Sequence, residues 1–464
     1  MISIDRLSDD DLLEIFHLYV DEARNQYALE LHAMMAWQRL VHVCRRWRSI
    51  VFGSPRRLNL QLVCADTTLA RCTVDVWPAL PILIQDPGYI ARSTDNIIAL
   101  LERSDLVCRV SEIKLWKVLL EDISEAMQVP FPELTHLDLY HNGQTALPLP
   151  DSFLGGSAPQ LRSLKLHRVP YPGLPKLLLS ATHLTRLDLY GIPVSGYIPP
   201  ETMAACLSTL TSLEQLFLQF QFPRPLPDQG SQSPPPSIRT SLPVLSHLSF
   251  QGGSEYLEVL VARVDAPRLR DLDISFFNDI VFVTPKFTRF ISHIPTFEAF
   301  NVARLGLWDS HASITLSYDY EEYGEGLNVS VYCTELDWQL SFLEQVCTSS
   351  LPPHSTLQEL YIEGRPCTQG WIDNIDYEQW LELLHSFSTV TDLYLSKELA
   401  PCVVPALQNL VEGRTTGVFP TLENIFLEEL QESGPVREGI GKFVAARQVT
   451  SHPVTVSRWD RDSN

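Results

Sequence analysis

One hydrophobic pattern recurs along most of the chain. Each copy has a hydrophobic residue, two spacers, a second hydrophobic residue, one spacer and a third hydrophobic residue, as in Leu161-Arg-Ser-Leu-Lys-Leu166. Ten copies start at Val110, Leu134, Leu161, Leu184, Leu213, Leu245, Leu269, Leu357, Val390 and Leu422. The first seven copies are spaced by 24, 27, 23, 29, 32 and 24 residues. Because a period in this range is typical of repeat proteins, the pattern predicts a stack of equivalent strands.

Helix-like segments separate several of the copies, and turn signals such as Ala158-Pro159 precede many of them. Amphipathic helices are predicted at 256–264, 286–294, 338–346, 380–387 and 406–411. Strand, loop and helix in repetition predict an α/β fold with parallel strands on one side and helices on the other. The array resembles an irregular leucine-rich-repeat domain, and this resemblance implies a protein-binding solenoid.

Three segments interrupt or end the array. Residues 223–243 contain seven prolines and predict an exposed insertion. Alternating strands at 314–320 and 327–333 predict a hairpin insertion over 313–334. Residues 436–464 predict a C-terminal cap that consists of a helix and then a strand.

The N-terminal 60 residues have a helical pattern instead. Ser8 precedes three acids, which suits the start of a helix. The apolar positions that follow repeat at helical spacing and are Leu12, Leu13, Phe16, Tyr19, Val20 and Ala23. Another apolar stripe predicts a second helix that runs without interruption. It consists of Trp37, Leu40, Val41, Cys44, Trp47, Ile50 and Val51. Two such stripes cannot bury each other completely, so part of each is expected to face another surface.

Residues 3–52 resemble an F-box. The resemblance rests on Leu7 through Phe16 and on the string Val43-Cys44-Arg45-Arg46-Trp47, with Ser8 in place of the family's usual proline and a longer middle segment at 21–36. It implies docking to the Skp-type adaptor of a cullin-based ubiquitin ligase. The residues implied at the adaptor contact, or in the core beneath it, are Leu7, Leu12, Leu13, Ile15, Phe16, Trp37, Leu40, Val43 and Trp47. A second interpretation is a helical cap that only shields the first repeat.

The predicted fold class is therefore α/β, with a short all-α N-terminal domain followed by a leucine-rich-repeat-like solenoid. The predicted divisions are an F-box-like domain at 1–60, a linker or first cap at 61–105 and the solenoid at 106–464. The whole chain resembles the F-box proteins with leucine-rich-repeat-like arrays that are abundant in fungi.

Composition narrows the choice of partners and compartment. The chain has 35 lysines and arginines against 56 aspartates and glutamates, a net charge of −21. Such a surface repels phosphate backbones, so no nucleic acid is expected, although residues 31–65 contain six arginines and no acid. No window approaches the roughly 18 apolar residues of a membrane span, so no membrane partner is expected. Nine cysteines without a CxxC pair favour free thiols in a reducing compartment, the cytoplasm or the nucleus.

No catalytic, metal or cofactor chemistry is expected. The sequence strings of common hydrolases, zinc proteases and phosphate-binding loops do not occur, and no histidine or cysteine lies at metal-ligand spacing. Asp271 and Asp273 share one side of a predicted strand, as paired catalytic carboxylates would. A solvated acidic face suits them better, because no partner base accompanies them.

Candidate binding residues lie on the predicted strands. In each copy three spacer positions point away from the core. These thirty positions include nine acids and seven aromatic residues but only three cations, Lys114, Lys165 and Arg186. Acids interleaved with aromatic residues suit a basic partner. The residues predicted to bind it are Tyr140, Tyr190, Phe217, Glu359, Tyr361, Glu363, Asp392, Tyr394 and Phe426.

The leading functional prediction is a substrate receptor of a Skp/cullin/F-box ubiquitin ligase. Its first helices would recruit the adaptor, and its repeats would capture a target protein whose identity the sequence does not reveal. The alternative is a protein-binding scaffold that acts without a ligase. An enzyme is a distant third.

Overall fold

The protein has a mixed α/β fold with a large, mainly parallel sheet. A computed structural model describes residues 4–26, 36–65, 77, 79–85, 95–116, 123–141, 148–221, 239–277, 284–319, 325–349, 351, 356–365, 377–412, 419–429, 434–449 and 452–460. The chain divides into two compact units. Unit 1 comprises Met1–Ile198 and Thr209–Leu213, and unit 2 comprises Pro199–Ser208 and Glu214–Asn464. This division runs through the repeat region, whereas the sequence predicted a boundary after residue 60.

Unit 1 begins with three helices, α1 (Asp9–Gln26), α2 (Ala36–Val41) and α3 (Arg45–Gly53). The start of α1 is a capping box, as Ser8 and the acids after it predicted. The Ser8 hydroxyl accepts a hydrogen bond from the Asp11 amide at 3.1 Å, and the Asp11 carboxylate accepts one from the Ser8 amide at 3.0 Å. The Ser8 hydroxyl also donates to the Asp11 carboxylate at 2.7 Å, and the hydrogen bonds that this carboxylate accepts from the Ser8 hydroxyl and amide lower the pKa of Asp11. Residues 27–35 of the predicted F-box lie outside the described residues.

The prediction of one helix from Trp37 to Val51 was wrong, because the chain turns between α2 and α3. Cys44 has extended backbone angles (φ −159°, ψ 171°), and its sulfur accepts a hydrogen bond from the Trp47 amide at 3.5 Å. The Arg48 guanidinium donates to the Val41 carbonyl at 3.0 Å, which satisfies a group that the end of α2 leaves free. On both sides of this turn the apolar side chains face α1. The apolar stripe therefore keeps the spacing of a single helix, and it did not reveal the turn.

Six strands of unit 1 pair in parallel in the order of the chain. They are β1 (Leu62–Cys64), β2 (Ile82–Gln85), β3 (Val110–Leu115), β4 (His136–Tyr140), β5 (Ser163–His167) and β6 (Arg186–Ile192). The accompanying helices are α4 (Asp95–Leu101), α5 (Ser104–Val107) and α6 (Leu174–Ser180). The segment expected as a linker or first cap, 61–105, thus contributes β1 and β2 to the sheet.

Unit 2 contains the later repeats. Its strands are β7 (Gln215–Phe220), β8 (Thr240–Ser241), β9 (His247–Gly252), β10 (Val264–Asp265), β11 (Asp271–Phe277), β12 (Val302–Trp308), β13 (His311–Ser317), β14 (Gly326–Tyr332), β15 (Glu359–Arg365), β16 (Asp392–Leu395), β17 (Asn424–Leu427) and β18 (Thr455–Arg458). Its helices are α7 (Pro200–Leu207), α8 (Ser254–Val261), α9 (Pro285–Ile291), α10 (Leu336–Ser349), α11 (Tyr377–His385), α12 (Ala400–Glu412) and α13 (Pro435–Val449). In all ten copies of the hydrophobic pattern the second and third hydrophobic residues lie on a strand, which confirms the predicted repeat of parallel strands.

A recurring turn explains why each copy begins where it does. The amides of Leu161, Leu269 and Leu422 each donate to the carbonyl three residues earlier, at 3.1 to 3.2 Å. The turn directs the first leucine of the pattern into the core, where all three are almost completely buried. The next two hydrophobic residues alternate on the strand and point to the same side.

The strand order of unit 2 departs from a simple repeat at the predicted hairpin. The strands β12, β13 and β14 form an antiparallel meander. At its two outer edges β14 pairs in parallel with β11, and β12 pairs in parallel with β15. Residues 222–238, most of the proline-rich insertion, lie outside the described residues.

The cysteines provide a test of this burial pattern. The seven that are described form no disulfide bond, with Cys44 and Cys108 exposed and the others buried. Burial raises the pKa of Cys64 and of Cys402 to about 11. We expect a thiol reagent at neutral pH to label Cys44 and Cys108 rapidly, and to label Cys64 and Cys402 only after unfolding. Peptide mapping after timed labelling measures this, and rapid modification of Cys64 in the folded protein would contradict it.

Candidate protein-binding surfaces

Most residues predicted at the adaptor contact form the core of the N-terminal helices. Leu12, Leu13, Phe16, Trp37 and Leu40 are buried. Leu7 and Trp47 are partly exposed, and the Trp47 ring lies 4.7 Å from that of Phe16. Trp37 packs on Trp77 with ring centroids 5.3 Å apart, and its indole donates to the Gln61 carbonyl at 3.2 Å. We call α1, α2 and α3 together the N-terminal module. Because of these contacts, the buried residues stabilise the core of the module and do not form its surface.

The exposed hydrophobic side chains of the module lie elsewhere. Ile15 is 49% exposed and Val43 is 58% exposed, and both were among the predicted contact residues. Leu18, which is 68% exposed, was missed because it lies off the apolar stripe of α1. Its position three residues after Ile15 was the available signal, since that spacing puts two side chains on one face of a helix. Ile15 and Leu18 therefore form a hydrophobic pair that the fold of unit 1 leaves uncovered.

Two arginines of the arginine-rich segment 31–65 form ion pairs with α1 of the N-terminal module. The Arg46 guanidinium lies 2.8 Å from the Asp9 carboxylate and donates to the Leu7 carbonyl at 2.6 Å. Arg57 forms an ion pair with Glu14. These arginines thus join the start of α1 to α3 and to the chain that follows it.

The aromatic residues predicted to bind a target in unit 2 are stacked on one another. The Tyr361 and Tyr394 rings are 4.1 Å apart with an interplanar angle of 11°, and the Tyr394 and Phe426 rings are 4.5 Å apart at 9°. Trp459, which follows β18, lies edge-on at 5.6 Å from both tyrosines. Tyr361 and Trp459 are both buried. Tyr361 is therefore not an open contact residue, contrary to the prediction, because the C-terminal segment covers it.

The acids beside this stack are also engaged. Glu359 accepts a hydrogen bond from the Tyr361 hydroxyl at 2.7 Å, and burial, with this carboxylate, raises the pKa of Tyr361. Glu363 is buried, 3.3 Å from the Arg304 guanidinium, so the prediction that it faces a target was wrong. Asp392 accepts hydrogen bonds from Asn424 at 2.8 Å and from Thr391 at 2.6 Å.

In unit 1 the predicted residues Tyr140 and Tyr190 flank His167 on neighbouring strands. Ring centroids are 4.3 Å apart for Tyr140 and His167, and 6.0 Å apart for His167 and Tyr190. All three rings are partly exposed, and burial lowers the pKa of His167. Phe217, on β7 of unit 2, is partly exposed opposite Ser249 on β9.

The charges next to these rings neutralise one another. Asp188 is buried, 2.8 Å from Arg186 and 3.7 Å from Lys165, while Lys114 lies 2.9 Å from Glu112. Burial raises the pKa of Asp188, and the two cations oppose that shift. All three cations among the thirty outward spacer positions therefore lie in unit 1. The excess of acids over cations at these positions is thus found in unit 2.

A groove that the sequence did not predict crosses β11, β14 and β13 in unit 2. It encloses about 260 Å³ and is lined by polar residues together with His311 and Tyr332. One row along it consists of Ser275, Ser330 and Ser313, which lie opposite one another on adjacent strands. The Ser275 and Ser330 hydroxyls are 2.7 Å apart. Small side chains in register on three strands create the groove.

Taller side chains bound the groove on both sides. One side is a row of rings, in which Phe277 stacks on Tyr332 at 6.0 Å and His311 stacks on Trp308 at 6.0 Å. Tyr332 and His311 connect the two pairs at 6.2 Å. The other side is a hydrogen-bonded polar row, in which Asn328 donates to Asp273 at 2.7 Å and accepts from Thr315 at 3.0 Å.

Other functional chemistry is limited in the described part of the chain. No group of histidines, cysteines and acids there is arranged to hold a metal ion. No described helix is long and apolar enough to cross a membrane. Asp271 and Asp273 do lie on one side of β11, and burial, with Asp273 and Glu325 nearby, raises the pKa of Asp271.

Comparison with known proteins gives only weak structural similarity. No protein-family model and no curated protein matches the chain. Among solved structures, the leucine-rich repeat-containing protein LegL7 from Legionella pneumophila aligns with a TM-score of 0.28 and 14% sequence identity. The alignment covers 72% of this chain and 90% of LegL7.

Proposed function

We propose that this protein is the substrate-recognition subunit of a Skp/cullin/F-box ubiquitin ligase. The N-terminal helices dock the Skp-type adaptor, and the repeat strands capture a target protein. Ubiquitin transfer belongs to other subunits, so this chain contributes proximity rather than catalysis and needs no metal or cofactor. The assembly acts in the cytoplasm, the nucleus or both.

One observation carries the adaptor half of the proposal. Ile15 and Leu18 are exposed on a module whose other large apolar residues are mostly buried. Exposing such a pair costs solubility without stabilising the fold, and a protein partner that covers it removes that cost. The string from Val43 to Trp47, on which the F-box resemblance rests, lies in the turn and helix that follow, and Val43 is also exposed there.

Co-purification with a Skp-type adaptor tests this role. The double variant Ile15→Ser and Leu18→Ser should lose at least about tenfold in adaptor affinity, since central apolar contacts dominate such interfaces. Serine changes no charge, and both sites are exposed, so the free energy of unfolding should stay within about 0.5 kcal/mol. Leu179→Ser is the matched control, because Leu179 is 52% exposed on α6 of the same unit. Absence of binding by the wild type, or equal binding by the double variant, would remove the ligase role.

A second function is a ligase-independent scaffold, in which the helices only cap the sheet of unit 1. The contacts of Trp37 with Trp77 and with the Gln61 carbonyl favour it, because they fix the helices next to β1. The scaffold requires no partner at Ile15 and Leu18. The same co-purification therefore distinguishes the two functions.

A further inference from the structure

The groove across β11, β14 and β13 has the chemistry of a site for one cationic side chain. We propose that it binds an arginine of a basic peptide segment, with the guanidinium against Asp273 and Tyr332. This inference rests on the part of the proposed function in which the repeat strands capture a protein. It does not depend on the ligase.

The first argument is the state of the Asp273 carboxylate. One oxygen accepts from Asn328 at 2.7 Å and the other from Ser249 at 3.3 Å. A carboxylate has about four acceptor positions, so these two bonds fix its orientation and leave capacity for a guanidinium. Within the described residues neither Asp273 nor Asp271 forms an ion pair with a lysine or arginine. The Asp273 charge that lines the groove is therefore not neutralised by a lysine or arginine of the described part of the chain.

The second argument is the shape of the groove and its other polar groups. Three serines in register offer hydroxyl oxygens, which can accept hydrogen bonds from several N–H groups of a guanidinium. The two rows that bound the groove are four residues apart on each strand, about 13 Å between their Cα positions, so the space between their side chains admits a side chain rather than a folded domain. Arginine, with five donors in one plane, fits this set better than lysine does.

The third argument is the row of rings along one side. Tyr332 is 42% exposed and stacks on Phe277, which holds its ring in place. A guanidinium stacks on such a ring through cation–π attraction. Burial lowers the pKa of His311, so its ring is neutral at physiological pH and does not repel a cation.

The charge distribution sets the end at which the arginine binds. Asp271 and Asp273 lie on β11 at one end of the groove. At the far end Arg304 is on β12, paired with Glu363 at 3.3 Å. A cation is therefore attracted toward β11, because the charges of Arg304 and Glu363 at the far end largely cancel each other. The aromatic stack at Tyr361 offers no comparable opening, because Trp459 covers it.

Fluorescence polarisation with the full-length protein tests the site. The probe is a short fluorescein-labelled peptide of alternating arginine and glycine, compared with the same peptide carrying lysine or citrulline. Citrulline keeps the shape of arginine and removes its charge. The expected order of affinity is arginine, then lysine, with no measurable binding of the citrulline peptide. Failure of the wild type to bind the arginine peptide, or equal binding of the citrulline peptide, would overturn the proposal.

Two variants locate the site. Asp273→Asn keeps the size of the side chain and should weaken arginine-peptide binding about tenfold, the loss expected for a hydrogen bond to a charged group. Tyr332→Ala should weaken it about threefold, and because Tyr332 is exposed the fold should persist. Asp337→Asn is the control, since it makes the same charge change at an exposed position on α10 of the same unit and should leave binding within about twofold. An equal loss in Asp337→Asn would show attraction by net charge alone and overturn the assignment.

The adaptor experiment separates this proposal from the ligase role. Asp273→Asn should co-purify with the Skp-type adaptor as the wild type does. If the adaptor does not bind while the arginine peptide distinguishes wild type from Asp273→Asn, the ligase role fails and the groove assignment stands. If the adaptor binds and the peptide does not, the groove assignment fails alone.

Discussion

Replacing Trp37 with alanine should destabilise the N-terminal helices of unit 1 by about 3–5 kcal/mol, the range for truncating a buried tryptophan. Trp37 is completely buried, packs against Phe52 and Trp77, and donates to the Gln61 carbonyl at 3.2 Å. The variant loses this hydrogen bond and leaves a cavity between α2 and β1. Urea unfolding gives the overall loss, and amide hydrogen exchange in α1, α2 and α3 shows where it occurs.

Trp116→Ala is the matched control, because Trp116 is also in unit 1 but is 48% exposed. Its free energy of unfolding should change by no more than about 0.5 kcal/mol. Adaptor binding by Trp37→Ala should fall only in proportion to unfolding, unlike that of the Ile15→Ser and Leu18→Ser variant. Full stability together with lost adaptor binding in Trp37→Ala would make Trp37 a contact residue and contradict its assignment to the core.

Replacing Trp459 with alanine should destabilise the last strands of unit 2 by a similar amount, about 3–5 kcal/mol. The indole covers Tyr361 and Tyr394, and the Trp459 amide donates to the Leu427 carbonyl, which joins this position to β17. Loss of the indole exposes Tyr361 and lets water reach its hydroxyl. The raised pKa of this hydroxyl should therefore move back toward 10. Hydrogen exchange in β15 to β18 and spectrophotometric tyrosine titration measure the two effects.

Trp459→Phe should cost much less than Trp459→Ala. The Trp459 indole nitrogen is buried without an acceptor among the described residues, so phenylalanine removes an unsatisfied donor and retains most of the packing. Trp338→Ala is the second control, because Trp338 is 43% exposed on α10. Equal losses in Trp338→Ala and Trp459→Ala would contradict a specific role for the contact with Tyr361.

The predictions that held depend on local periodicity. The spacing from Leu161 to Leu166 places three side chains on one side of a strand, and the turn from Ala158 closes before it. The same geometry recurs at Leu269 and Leu422, so the strands and most of the later helices follow from neighbouring residues alone. The start of α1 is equally local, since Ser8 and Asp11 are three residues apart.

The predictions that failed depend on contacts that the hydrophobic period does not report. The stripe from Trp37 to Val51 has the same period whether α2 and α3 are one helix or two, and the extended backbone of Cys44 separates them. Alternation places Tyr361 and Glu363 away from the helices, but Trp459 and Arg304 then cover or neutralise them.

The sequence by itself determined the parallel strands, their spacing and the acidic and aromatic composition of their outward positions. Tertiary structure alone decided which of those positions remain open. The three serines of the groove are far apart in the sequence, and the parallel pairing of β11 with β14 together with the antiparallel pairing of β13 with β14 brings them into register beside Asp273. The spacing of hydrophobic residues in the sequence indicates which side of a helix or strand is buried within its own repeat. It carries no information about the residue of another strand that lies opposite, because that depends on the register of chain segments far apart in the sequence.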